Sequence, residues 1–332
     1  MNSKERVLAA VEGQFLQPRP VGAVTQSATV ELMEATGAKW PEAHRDPEKM
    51  ATLGGGACEA FQFDLVRVPF DQTIEAELFG CTVSAGSLDG NCAVKGAVAE
   101  AGGPVPPVPD AASGRAQVVL KALSLLRERF GGEVAVLGGV VGPFTLTGHL
   151  LGLGQLLVNS LTNVPALLPF LIAAVKFSSE YAKRQVQAGA DAIVVEDMAA
   201  SLDLTSPQIY QDVVLPQQKK LIEAIPAPVI LHVCGNNTPI LTQLVEAGAH
   251  ALSLDAKTDL SRAAQAARGK CAVIGGVPPM ALLDGNPDVV RAKSRESLSA
   301  GVHILAPGCG IPPRTPSANL QAMAQTAREW EN

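Results

Sequence analysis

Apolar residues along this chain follow two rhythms. Short runs such as AIVVED from Ala192, PVILHVCG from Pro228 and ALSLDA from Ala251 are apolar almost without a break, as expected of strands buried on both faces. Between them lie stretches with apolar residues at helical spacing, clearest over 117–130 with Val119, Leu123, Leu126 and Phe130. A linking pattern also recurs. Ala188-Gly189-Ala190-Asp191 precedes AIVVED, Ala247-Gly248-Ala249-His250 precedes ALSLDA, and Ala300-Gly301-Val302-His303 precedes ILAPGC. The glycine in each suits the left-handed turn that closes a helix. Helix, glycine cap and buried strand, repeated, are the rhythm of a parallel α/β fold.

Eight strands are predicted in this way: PVGAVTQ from Pro20, LVRVPF from Leu65, VAVLGGVVG from Val134, AIVVED, PVILHVCG, ALSLDA, CAVIGGV from Cys271 and HILAPG from His303. With amphipathic helices between them, they favour a closed (β/α)8 TIM barrel over an open sheet, in a single domain over 1–332. Two segments break the rhythm. Residues 75–105 read as a β-rich insertion, trailed by the stiff connector GPVPPVPD at 103–110. The span 148–183 is longer than one crossover helix needs and predicts extra helices over the barrel mouth, with Pro165 and Pro169 setting bends. Within it VPALLPFLIAAV, at 164–175, reads as a buried helix hairpin and is too short to span a bilayer.

Composition narrows the class. A chain of 332 residues suits one barrel. Its 47% hydrophobic and 17% charged residues permit a large core and exclude a disordered, highly charged chain. A net charge of −6, with 4% aromatics and no basic block, argues against nucleic-acid binding. The N-terminal MNSKERVLAAVEG reads as an amphipathic helix without the apolar centre of a secretory signal. A cytoplasmic location is therefore expected, with no membrane partner, and the six cysteines are expected to be thiols or ligands rather than a disulfide frame.

LHVCG puts His232 and Cys234 two residues apart at a predicted strand end, so both point to one face. Cys309, in APGCG, lies just past the last strand, and in a closed barrel both strand ends open onto the same mouth. One imidazole and two thiolates are a familiar zinc set with a fourth position free; the bland alternative is a core His and Cys. Cys58, Cys81, Cys92 and Cys271 read as ordinary thiols, and His44, His149, His250 and His303 as poor ligand candidates in loops or at strand starts. Glu196, Asp197 and Asp255 end predicted strands and are candidate catalytic carboxylates at the mouth, or structural pairs of a neighbouring cation. Arg67 and Arg314 are candidates to hold an anionic substrate group, or are surface pairs.

At these residues the chain resembles a known group. LHVCGNNTPIL, APGCGIPPRTPSANLQAM, VTQSATVELMEATGAKWPEAHRDPEKMATL and VPFDQTIEAELFGC, the last around Glu77, are similar to segments of the methylcobamide:coenzyme M methyltransferases, within the uroporphyrinogen decarboxylase superfamily. The resemblance implies a TIM barrel. It implies zinc held by His232, Cys234 and Cys309, and methyl transfer from a separate methylated corrinoid protein to a thiol, coenzyme M. At rest the fourth position is expected to hold water or a nearby carboxylate, Glu77 or Glu196, since both are expected at the mouth, and Glu77 joins the candidate catalytic carboxylates. The decarboxylase branch carries an RQAGRY-type arginine segment after the first strand, where this chain has TQSATVE, so tetrapyrrole decarboxylation is disfavoured. Coordination to zinc deprotonates a thiol, and a two-thiolate set keeps electron density on sulfur, which suits alkyl transfer better than hydrolysis. A tetrahydrofolate-type acceptor, a metal-free lyase and a non-catalytic metal-binding protein are the competing readings.

Overall fold

The computed structural model describes residues 1–331. Nine strands occur among them: β1 Leu65–Arg67, β2 Thr82–Ser84, β3 Ala93–Gly96, β4 Ala135–Val141, β5 Ala192–Glu196, β6 Val229–Val233, β7 Ala251–Leu254, β8 Ala272–Val277 and β9 Ile304–Pro307. Seven form one parallel sheet in the order β1-β4-β5-β6-β7-β8-β9, and β2 pairs with β3 as an antiparallel hairpin. The eighth stave is the segment at 20–24. Leu305 N donates to the Pro20 carbonyl oxygen at 2.9 Å and Gly22 N to the Leu305 carbonyl oxygen at 3.1 Å, while Asp64 N donates to Val21 on the other side at 2.8 Å. The barrel is closed, but this stave is a single bridge, Val21 to Leu305, rather than the regular strand expected. Pro20 has no N–H to donate, and Val21 N is diverted to Asp64 Oδ2 at 2.9 Å.

Every residue of the seven sheet strands is buried, and period-two alternation sorts them into two cores. Leu65, Ala135, Leu137, Ala192, Val194, Ile230, Ala251, Ala272, Ile274, Ile304 and Ala306 pack together inside the barrel. Val66, Val136, Ile193, Leu231, Leu252, Val273 and Leu305 face the surrounding helices. The N-terminal helix Ser3–Val11 has Asn2 and Glu5 in a capping box and buries Val7, Ala10 and Val11. Those three join the inner core, so the helix plugs the bottom of the barrel.

The helix Gly114–Phe130 buries Val119, Leu123 and Leu126 as the spacing predicts, but it begins before residue 117 and adds Arg115 in its first turn. Extra helices do follow β4: Pro143–Leu151, Leu153–Thr162 and Leu168–Gln187. The expected hairpin at 164–175 is instead a 3-10 turn, Val164–Ala166, running into one long helix. Pro165 and Pro169 each sit in a first turn, where a missing N–H breaks no helical bond. The insertion at 75–105 opens on the helix Ile74–Leu78 before its β-hairpin. No helix of the described residues is long and apolar enough to cross a membrane.

The seam of the barrel is tied by Asp64. Besides Val21 N, its carboxylate accepts from Ser3 Oγ at 2.6 Å and pairs with Arg6 of the plugging helix. Asp64→Ala leaves a buried N–H without its partner and is expected to lower unfolding free energy by about 1–3 kcal/mol. Urea denaturation of both proteins checks this, and an unchanged midpoint would show that the seam does not depend on Asp64.

Candidate metal centre and active-site cavity

Above the apolar layer inside the barrel lies a polar one. Glu196 on β5 is the register partner of His232 on β6, and His232 is that of Ser253 on β7. His232 is buried, and its Nδ1 lies 3.1 Å from both the Ser253 carbonyl oxygen and Ser253 Oγ. A proton on Nδ1 donated to that carbonyl leaves the Nε2 lone pair free. Nε2 faces Cys234 Sγ at 3.3 Å, and Cys234 Sγ lies 3.6 Å from Cys309 Sγ. One nitrogen and two sulfurs thus converge within 4.8 Å of one another, a donor set and spacing that fit a tetrahedral soft metal ion. Cys234 Sγ and Cys309 Sγ are within sulfur hydrogen-bond reach, and either can donate. That contact, aided by His232 and the Gly310 N–H, draws the Cys309 thiol below the usual thiol range. Cys234 is pushed the other way by its bond to Cys309 and by burial.

The carboxylates and arginines sort differently from expectation. Glu196 does face the mouth cavity. Its Oε1 is paired with Arg67 Nη2 at 2.8 Å, and Gln72 Nε2 donates to its other oxygen. Arg67 is therefore buried inside the barrel and already engaged, rather than presented to a substrate; Gly139 makes room for it, since a Cβ there would meet the guanidinium. Asp197 has the opposite parity and does not line the cavity. It accepts from Thr145 N and Oγ1, both at 2.7 Å, and from Gln218 Nε2 at 3.0 Å, so it anchors the first turn of the helix Pro143–Leu151. Burial raises its carboxyl above the usual range. Glu77 also stands away from the cavity lining, paired with Arg45 at 2.9 Å and with Arg115. Asp255 accepts from Gly235 N and Lys257 N, both at 3.0 Å, which steadies the turn behind Cys234. Arg314 is 76% exposed and paired with Asp89 of the hairpin at 2.5 Å.

His232 and Cys309 open into a cavity of about 530 Å3 at the barrel mouth. The hairpin (Asn91, Cys92, Ala93, Val94) and His149 of the helix Pro143–Leu151 wall one side, and Gln26 and Ile311–Pro313 the other. Thr25, Trp40, Phe70, Asp71, Gln72, Thr73, Asp89, Met198 and Gly310 also line it, none of them singled out in the sequence. Asp71 belongs to a second trio with His44, 3.1 Å away, and Cys92. Its oxygens are already filled by Arg115 (2.9 Å) and by Thr73 N and Oγ1 (2.9 and 2.5 Å), so we read it as structural. Burial would raise the Asp71 carboxyl, but the His44 bond and the Arg115 charge hold it well below the usual range. A larger cavity, about 760 Å3, lies at the opposite end among the strand starts His250, Cys271 and His303 and touches none of the converging ligands.

A closed parallel barrel with a nitrogen–sulfur–sulfur trio at its mouth is the arrangement of an α/β barrel enzyme with a candidate metal centre. The uroporphyrinogen decarboxylase (URO-D) family profile matches residues 2–330. Among curated proteins, the methylcobamide:CoM methyltransferase MtbA of Methanosarcina acetivorans is 39% identical over 99% of this chain and 98% of its own. The methylcobamide:CoM methyltransferase MtaA of Methanosarcina barkeri is 32% identical over 98% of each. A solved methyltransferase structure from Methanosarcina mazei matches with a TM-score of 0.95 at 34% identity, over 99% of both chains. The chain belongs to the uroporphyrinogen decarboxylase family, on the branch of the methylcobamide:CoM methyltransferases.

Beside the cavity, Glu75 is buried and accepts from Val141 N at 2.9 Å, and burial pushes its carboxyl up to about 7. In the unfolded chain it ionises near 4.5. Between these values the folded protein binds the extra proton, so the stability Glu75 contributes is present below pH 4.5 and lost as pH rises through about 7. Glu75→Gln, which keeps the acceptor, is expected to flatten that decline. Denaturation midpoints from pH 4 to 8 measure it, and an unchanged profile in the variant would exclude Glu75 as the source.

Proposed function

We propose that this chain is a zinc-dependent methyltransferase, acting as one barrel domain, that moves a methyl group from a methylated corrinoid protein to a thiol, coenzyme M. The observation that carries the reading is the convergence of His232 Nε2, Cys234 Sγ and Cys309 Sγ at the mouth, with Ser253 fixing the ring. Zinc bound there would supply the acidity that makes an acceptor thiol a thiolate near neutral pH. His232 and the two cysteines hold the ion, and Asp255 keeps the Cys234 turn in place through Gly235 N. Glu196 and Gln72 wall the cavity beside His232, and Arg67, buried outside the lining, offsets the Glu196 charge. The mouth opens the reacting sulfur to a donor arriving from outside the barrel.

Decarboxylation of a polycarboxylate is disfavoured on the same geometry, because no Lys or Arg lines the cavity. All six cysteines are free thiols, which agrees with a reducing cytoplasm as the proposed location.

Metal analysis is expected to find about one zinc per chain, lost in Cys309→Ala. Methylcobalamin demethylation, followed by cobalamin absorbance with coenzyme M, homocysteine and tetrahydrofolate in parallel, is expected to proceed with coenzyme M. Cys309→Ala should lower it by more than about 100-fold, beyond what loss of a supporting group does. Zinc that survives the substitution would remove Cys309 from the set, and turnover with tetrahydrofolate alone would replace the acceptor.

A further inference from the structure

We propose that His149 reads the anionic tail of the acceptor, a short thiol whose far end carries a permanent negative charge. The inference rests on the function proposed above and concerns the cavity wall rather than the metal ligands.

An anion entering this cavity finds every nearby guanidinium occupied. Arg67 is paired with Glu196, Arg115 with Asp71 and Arg314 with Asp89. Three neutral residues of the lining, His149, Trp40 and Thr25, each carry a buried polar atom without a hydrogen-bond partner: His149 Nδ1, Trp40 Nε1 and Thr25 Oγ1. Leaving buried donors unpaired is unfavourable by about 1–3 kcal/mol each, so they mark places where a ligand supplies the missing acceptor.

Of the three, only the imidazole gains a charge when an anion arrives. His149 lies in the last turn of the helix Pro143–Leu151, whose carbonyl end favours a cation. Burial holds the ring down to about 4, so it is neutral at pH 7 without ligand. The titratable groups around it are Cys81, whose thiol donates to the His149 carbonyl oxygen at 3.4 Å, Glu75 on the adjoining helix, Cys92 on the same wall, and elsewhere in the lining Asp71, Asp89, Glu196, His232 and Cys309. The paired carboxylates cancel against their arginines. A bound thiolate with an anionic tail adds two uncompensated negative charges, and His149 is the group placed to take up a proton in answer.

The test compares two thiols of the same length on the zinc-loaded enzyme, coenzyme M and uncharged mercaptoethanol. Isothermal titration at pH 7 in buffers of different ionisation heat counts protons. Both thiols give up the thiol proton on binding at the trio, so that contribution cancels in the comparison. The expected result is that coenzyme M releases fewer protons than mercaptoethanol, by as much as about one. His149→Gln and His149→Asn, each checked for retained zinc and fold, should erase that difference. They should also reduce the affinity preference for the charged thiol by about tenfold, the size of one charge-assisted hydrogen bond. Equal proton release for both thiols in the wild type would overturn the proposal, as would a preference lost in Trp40→Phe and kept in His149→Gln. If neither thiol binds, the methyltransferase reading fails and takes this inference with it. That result is distinct from two thiols that bind alike.

Discussion

The hydrogen bond between His232 Nδ1 and the Ser253 carbonyl oxygen, 3.1 Å long, joins neighbouring strands and decides which ring nitrogen is left for a metal. Its existence depends on register. Glu196, His232 and Ser253 are partners across β5, β6 and β7, and each sits one inward step above the apolar layer of Val194, Ile230 and Ala251. A slip of one residue in β6 would turn His232 toward the helices and put Leu231 or Val233 inside. Cys234 follows His232 by one pleat, and Cys309 follows the end of β9, so the same closure that stacks the inner core brings nitrogen and sulfurs together.

A polar layer inside a barrel is tolerable only if its charges are matched. Arg67 and Glu196 are both buried and lie 2.8 Å apart, and removing one partner of such a pair typically costs about 3–5 kcal/mol because the other is left uncompensated. Gln72 adds a further bond to Glu196, and the missing side chain at Gly139 leaves room for the guanidinium. Asp71 and Arg115 repeat the arrangement on the hairpin side, with His44 and Thr73 closing the remaining lone pairs. The buried charges of the cavity wall are thereby matched, and strong electrostatic response is left to the candidate metal centre and to groups that can change protonation.

Much of this was legible in the residues, and the failures have physical causes. His232, Cys234 and Cys309 stood out because two-residue spacing on a strand and position past a strand end are local features. Glu196 and Asp197 were both placed at the mouth, yet adjacent strand residues cannot face the same way; parity alone assigns Glu196 inward and frees Asp197 to cap a helix. Arg67 looked available because its partner is remote in sequence, and no local pattern announces an ion pair closed across β1, β4 and β5. Ser253 was invisible for the opposite reason, since a serine within an apolar strand carries no signal until its neighbour is known to be histidine. The prolines at 165 and 169 were read as bends, although proline is equally at home in a first helical turn, where the long helix Leu168–Gln187 accommodates it.

The two ends of the barrel differ in what they admit. At the bottom the helix Ser3–Val11 drives Val7, Ala10 and Val11 into the inner core, so nothing reaches the polar layer from that side. At the top the cavity of about 530 Å3 suits a small acceptor, whereas a corrin ring with its carrier protein far exceeds a pocket of that class. In the proposed reaction the donor must therefore be presented over the rim rather than swallowed. The rim is the β2–β3 hairpin and the helix Pro143–Leu151, and Asp89 of that hairpin is paired with Arg314 in the loop that follows Cys309. That pair is exposed and adds little on its own. The loop after Cys309 is fixed by Ile311 N on the Gln26 carbonyl oxygen at 3.0 Å and by Val30 N on that of Pro313 at 2.7 Å, so a donor arriving at the rim would meet a cavity wall that is already held in place.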